Sequence, residues 1–190
     1  MKEKAAPLPI MMFENQEIFE AWLARHYDSS PGLRLQIAKK GSGLTTVNYT
    51  EALDVALCYG WIDSQKEAMD EKTWLQRFTP RGKKSIWSVV NKDKVAVLIE
   101  AGRMKPSGQE AIDIAKRNGQ WDSAYEPQST AAVPEDFAAL LDLHPKAKAT
   151  FEGLKKSERY SILFRLAQAK KPETKEKRMR EFVEQLEGKE

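Results

Sequence analysis

The chain has a single cysteine, Cys58, and only two histidines, His26 and His144, among its 190 residues. A lone thiol excludes an intramolecular disulfide and any multi-cysteine zinc site. Two histidines do little to supply a metal centre, so neither a metal nor a cofactor is expected. Long apolar runs are also missing. PLPIMMF, near the start, is short and broken by prolines, whereas a signal peptide needs roughly 7–15 uninterrupted apolar residues. No stretch approaches the ~20 apolar residues of a membrane span, and the expectation is a cytoplasmic protein. Charge of one sign is scarce as well, with 31 basic against 28 acidic residues. Split at residue 130, the balance is 18 to 17 in the first part and 13 to 11 in the rest. Neither part has the excess of a dedicated DNA binder, whose affinity depends on neutralising phosphates.

What is present is apolar material for a core. Hydrophobic residues make up 41% and charged residues 31%, with five Trp and seven Phe, the composition of a globular protein. Asn15 is placed to cap a helix whose Phe19, Trp22, Leu23 and His26 follow i, i+3, i+4, i+7 spacing. Leu33, Leu35 and Ile37 alternate with polar residues, as a half-buried strand does. A second helix starts at Thr50 and ends at Gly60. Residues 61–66 and 73–79 read as a hairpin around AMDEK, with Trp74 and Phe78 on one side and Leu75 on the other. Asn91 can cap a third helix, and Ser107 with Glu110 reads as a capping box for a fourth.

EPQSTAAVP, residues 126–134, has linker composition, and everything after it is helical in pattern. Val133, Phe137, Leu140 and Leu141 form one stripe, which His144-Pro145 breaks. Ser157 precedes a helix with Tyr160, Leu163 and Phe164, and Pro172 suits the first position of a last one. The predicted fold class is α+β: an N-terminal domain with a small antiparallel sheet and helices, then an all-α small helical bundle. The expected divisions are a flexible N-terminus at 1–12, an α+β domain at 13–125, a linker at 126–133, and a helical domain at 134–190.

Two breaks in this pattern hold more polar and aromatic groups than connectors need. ALCYGWIDSQ contains Cys58, Trp61 and Asp63, and RFTPRGKKSIWSVVN contains Arg81, Ser85, Trp87, Ser88 and Asn91. Cys58 falls at a helix C-terminus, where the partial negative charge disfavours a thiolate, so it reads as a small buried hydrophobe. Asp63 needs a partner if it is buried. Arg81, directly after Pro80, carries a planar fork suited to carboxylate or phosphate. Trp61, Asp63, Arg81, Ser85, Trp87 and Asn91 are therefore candidate binding residues for a small anionic ligand or a peptide carboxylate, with Asp63 orienting Arg81. Arg103 and Lys105, in AGRMKPSGQE, lead into a helix start that could hold an anion, though an ordinary turn explains them too. Near the end, Lys170, Lys171, Lys175, Lys177 and Arg178 form a basic ridge that is either a solvated face or a contact for an acidic partner, anionic lipid or RNA.

The motifs EALDVALCYGWIDS, FTPRGKKSIWSVVN and AGRMKPSGQEAIDIAKRNGQWDSAY resemble the YdeI/OmpD-associated family, the bacteriocin-protection proteins. So does the later stretch VPEDFAALLDLHPKAKATFEGLKKSERYSILFRLAQAKKPETKEKRM. The family's AK-x-P-E-T-R pattern is present as AKKPETK, with Lys175 in place of the arginine. The resemblance implies a C-terminal helical domain after an α+β domain. It also implies an association with stress or antimicrobial-peptide resistance, and some members are linked to an outer-membrane porin. It carries no agreed catalytic residues. Three functions stand: protection through binding of an anionic ligand or peptide, an enzyme using Asp63 as general acid or base, and an RNA- or nucleoid-associated binder. Binding is favoured over catalysis.

Overall fold

The computed structural model describes residues 7–188, so the first half of the expected flexible N-terminus, residues 1–6, lies outside the described residues. The chain forms two compact units, one of Met1–Ser85 with Asn91–Asn118 and one of Ile86–Val90 with Gly119–Glu190.

The first unit is built on a four-stranded sheet of β1 (Ile10–Met11), β2 (Leu33–Ala38), β3 (Trp61–Ala68) and β4 (Thr73–Pro80), in the order β1-β2-β4-β3. The pairs β2–β4 and β3–β4 are antiparallel, as expected, while the two-residue edge strand β1 runs parallel to β2. The alternation read in β2 is real: Leu33, Leu35 and Ile37 are buried. Their cross-strand partners Phe78, Gln76 and Trp74 share that face, because side chains directly opposite in a ladder point the same way. Two helices cover it, α1 (Gln16–His26) and α2 (Tyr49–Cys58). The Phe19 ring of α1 stands 6.1 Å from Phe78, and Phe19, Leu23, Leu33, Leu35 and Phe78 are all fully buried. Each contributes about 1.5–3 kcal/mol by leaving water.

Asn15 caps α1 as predicted, its Oδ1 accepting from the Ile18 N–H at 2.9 Å. α2 begins one residue earlier than expected. Asn48 is its cap, in a reciprocal box with Glu51. Gly60, with φ of 77°, turns the chain from α2 into β3.

The other two helix starts differ more. In α3 (Val89–Glu100) Asn91 is a buried interior residue rather than a cap. The first amide, Val89 N–H, bonds instead to the Tyr125 carbonyl at 3.0 Å, and Tyr125 N–H returns to the Trp87 carbonyl at 3.0 Å. In α4 (Pro106–Arg117) Ser107 lies inside the helix and Lys105 takes the cap position without a side-chain bond. Pro106 occupies the first helical position, where its missing N–H costs nothing and its fixed φ suits the turn.

The second unit is a bundle of α5 (Glu135–Asp142), α6 (Pro145–Gly153), α7 (Lys156–Ala167) and α8 (Pro172–Glu187). Its core joins Phe137, Leu141, Ala147, Phe151, Leu163, Leu166, Met179, Phe182, Val183 and Leu186. The Phe137 and Phe151 rings meet edge to face at 5.7 Å, a preferred aromatic geometry. Pro145 and Pro172 each open a helix, so the proline signals were positional ones.

Candidate functional site

Three chain breaks converge in the first unit. Arg81 N–H donates to the Gly60 carbonyl at 3.0 Å, and Lys105 N–H donates to the Cys58 carbonyl at 3.1 Å. Trp61 lies opposite Pro80 in the β3–β4 ladder. The approach is close enough to require glycine twice. A Cβ on Gly108 would sit 2.2 Å from the Cys58 carbonyl oxygen, and one on Gly60 would sit 2.7 Å from that of Ser107. The stretches 58–61, 80–81 and 103–108 thus share a backbone junction, where the end of α2 meets the start of α4.

The charged groups at this junction differ in their environments. Arg103 follows the Gly102 turn, its N–H bonded to the Leu98 carbonyl at 2.9 Å. Its Nη2 is buried and has no hydrogen-bond partner among the described residues. A guanidinium donor removed from water without an acceptor costs about 1–3 kcal/mol or more. Burial pushes the Cys58 thiol up, against the lowering pull of the Arg103 charge. Cys58 is 2% exposed and packs as a small hydrophobe. In Arg81 the Nε and Nη2 atoms are shielded from solvent. Lys105 is already engaged: its Nζ meets Glu20 Oε1 at 3.1 Å, which raises its pKa, and it lies over the Tyr59 ring at 5.7 Å.

The other residues singled out in the sequence are placed as follows. Trp61 is 1% exposed, its Nε1–H donates to the Tyr27 carbonyl at 2.9 Å, and its ring meets Trp22 edge-on at 6.0 Å. Asp63, on the helix-covered face of β3, accepts from the Tyr49 hydroxyl at 2.9 Å. The Tyr49 phenol of α2 is thus a hydrogen-bond partner of this carboxylate. Ser85 Oγ accepts from Gly82 N–H at 3.0 Å while Ser85 N–H donates to the Gly82 carbonyl at 2.9 Å. That serine closes a tight turn. Asn91 is buried in α3. Trp87 belongs to the second unit, where its ring meets Trp121 edge-on at 4.9 Å. Of the six candidates, Trp61 and Arg81 are at the junction, Asp63 and Ser85 flank it in sequence, and Trp87 and Asn91 fall on different units.

The basic ridge is partly neutralised within its own unit. Lys175 Nζ meets Asp136 Oδ2 at 2.5 Å and holds that carboxyl below the usual carboxylate range. Lys177 approaches Glu181 at 3.9 Å, and Arg178 Nη1 donates to the Arg165 carbonyl. Lys171 is the cap residue of α8 and is exposed, as is Lys170. Among the described residues no group of three His, Cys, Asp or Glu side chains is arranged to hold a metal ion. No helix among them is long and apolar enough to cross a membrane.

Sequence reasoning did not put Arg103 among its chosen residues. The signal was present in AGRMKPSGQE, where a glycine turn precedes an arginine and then a proline-started helix. An ordinary helix–helix turn accounts for that pattern equally well.

Compared with family models, residues 11–111 match a domain of unknown function, DUF8412. Residues 130–188 match the family described as Bacteriocin-protection, YdeI or OmpD-Associated. No curated protein and no solved structure matches the chain.

Proposed function

For a chain that belongs to the DUF8412 family through residues 11–111 and to the YdeI/OmpD-associated, bacteriocin-protection family through residues 130–188, we propose a protective protein whose N-terminal unit binds a small anion. The anion is a carboxylate, of a small acid or a peptide end, or a phosphate. It sits at the junction of residues 58–61, 80–81 and 103–108. One observation carries this reading: the buried Arg103 Nη2 has no acceptor among the described residues. A buried cationic donor is stabilised when an anion reaches it, since charge-assisted hydrogen bonds are about twice as strong as neutral ones. The Arg81 backbone is tied to the same junction through Gly60. Protection then follows from occupancy of the site, by sequestering the anion or by responding to it.

The test is isothermal titration of the full chain with inorganic phosphate, citrate and N-acetylated amino acids, at low and moderate salt. Saturable binding by the parent and its loss in Arg103→Gln, with helix content preserved, is the expected result. Equal binding by Arg103→Gln, or no binding of any of these anions by the parent, refutes the reading.

A further inference from the structure

We propose a second, independent site on the helical unit: a groove beside the start of α7 that docks a polypeptide segment presenting one large apolar side chain between carboxylates. The groove has a volume of about 200 Å³. Its apolar wall is Val133, Phe151, Tyr160 and Leu163, and its charged rim is Lys156 and Arg159. Val133 is 39% exposed, although its neighbours in the wall belong to the packed bundle. Phe151 is fixed by the edge-to-face contact with Phe137. Tyr160 is held from two sides, its hydroxyl donating to the Glu126 carbonyl at 2.9 Å and its ring lying 6.1 Å from Phe164. The wall is thus preformed, which lowers the ordering cost of binding.

Charge decides what the groove takes. Lys155, Lys156 and Arg159 crowd the first turn of α7, where the helix dipole already presents positive potential and cations are unfavourable. The acid in that turn, Glu158, is committed to the Lys155 N–H at 3.0 Å. Neither Lys156 nor Arg159 forms an ion pair among the described residues, in contrast to Lys148 with Asp142 and Lys175 with Asp136 in the same unit. An acidic partner relieves this local excess, and a basic one aggravates it. Complementarity of this kind sets partner choice and association rate more than affinity.

Size then separates a peptide from a cofactor. Small-molecule sites usually enclose about 300–1,000 Å³, more than this groove offers. It has room for one anchoring side chain, in the manner of an interface hot spot rimmed by polar contacts. The rest of the binding energy must come from flanking residues, which a polypeptide has and a small acid lacks.

Fluorescence anisotropy on the full chain tests this directly. The probe is a fluorescein-labelled Asp-Glu-Phe-Glu-Asp peptide at low ionic strength. Two control peptides replace its Phe by Ala or its acids by Lys. Saturable binding is expected, weakened at least about tenfold by Arg159→Glu, by Lys156→Glu and by the Ala peptide, and absent for the Lys peptide. Both variants change solvent-facing charge, so melting temperatures stay near the parent value. Arg165→Glu, on another face of α7, leaves binding intact. The proposal is overturned by any of four results: no saturation up to about 1 mM peptide, equal affinity for the Ala or Lys peptide, insensitivity to both rim variants, or tighter binding of a single-stranded oligonucleotide that displaces the peptide.

Discussion

Gly108 provides the sharpest test of the junction. Glycine inside a helix ordinarily costs about 0.5–1 kcal/mol relative to alanine, so Gly108→Ala at an open position would stabilise α4. Here the new methyl would lie 2.2 Å from the Cys58 carbonyl oxygen and 2.5 Å from Met104 Sδ. The thioether can swing away, but the carbonyl is backbone and already accepts from Lys105 N–H. α4 must therefore back away from α2, breaking that bond and loosening the packing around Ile112 and Ala115, which are buried. Overpacking costs about 1–3 kcal/mol and loss of a hydrogen bond about 1 more. Against the propensity gain, the net is a loss of about 2–3 kcal/mol. Urea unfolding followed by tryptophan fluorescence should show the midpoint falling by about 1–1.5 M for an m-value of about 2 kcal/mol/M. Gly153→Ala is the control. That glycine ends α6 with nothing within 4 Å of its Cβ position and no positive φ, so alanine there should be neutral or slightly stabilising. If Gly108→Ala matches Gly153→Ala, the close approach of α4 to Cys58 is wrong and the junction with it.

Two further outcomes follow from titration and reactivity. The Asp136 carboxyl, held down chiefly by its hydrogen bond from Lys175, should titrate below an ordinary aspartate by carboxyl NMR and return toward the ordinary value in Lys175→Ala. Because its folded pKa is depressed, the pair stabilises the unit above the unfolded value of about 3.9. That contribution disappears as pH falls through the lower folded value, and it stays below about 1 kcal/mol because both side chains are partly exposed. Cys58, with burial raising its thiol pKa, should react slowly with an aromatic disulfide reagent at neutral pH and promptly in urea. Fast labelling of the native protein would contradict its placement.

The elements most legible in the sequence were those whose signals are local. Asn15 with the spacing of Phe19, Trp22 and Leu23, the alternation in residues 33–37, and the proline at 172 each describe hydrogen bonds or faces within one turn or one pleat. The helix starts were read at Asn91 and Ser107, whereas α3 opens at Val89 and α4 at Pro106. Val89 N–H finds Tyr125 and Lys105 N–H finds Cys58, partners far along the chain that no local pattern announces. The candidate site was legible only in part for the same reason. The sequence placed cations next to breaks, and it read Asp63 as needing a partner if buried. That the partner is Tyr49 depends on how α2 lies across β3.

By itself, then, the sequence determined the classes of structure present and the order of a sheet-with-helices part followed by a bundle. Periodicity, capping and proline geometry act within a few residues and leave a readable trace. Tertiary structure alone decided that residues 58–61, 81 and 103–108 touch, and that Gly60 and Gly108 must lack side chains. It also decided that Arg103 buries a donor with no acceptor among the described residues. Those properties arise from packing between segments distant along the chain, where burial and the positions of neighbouring atoms set the energy of each group.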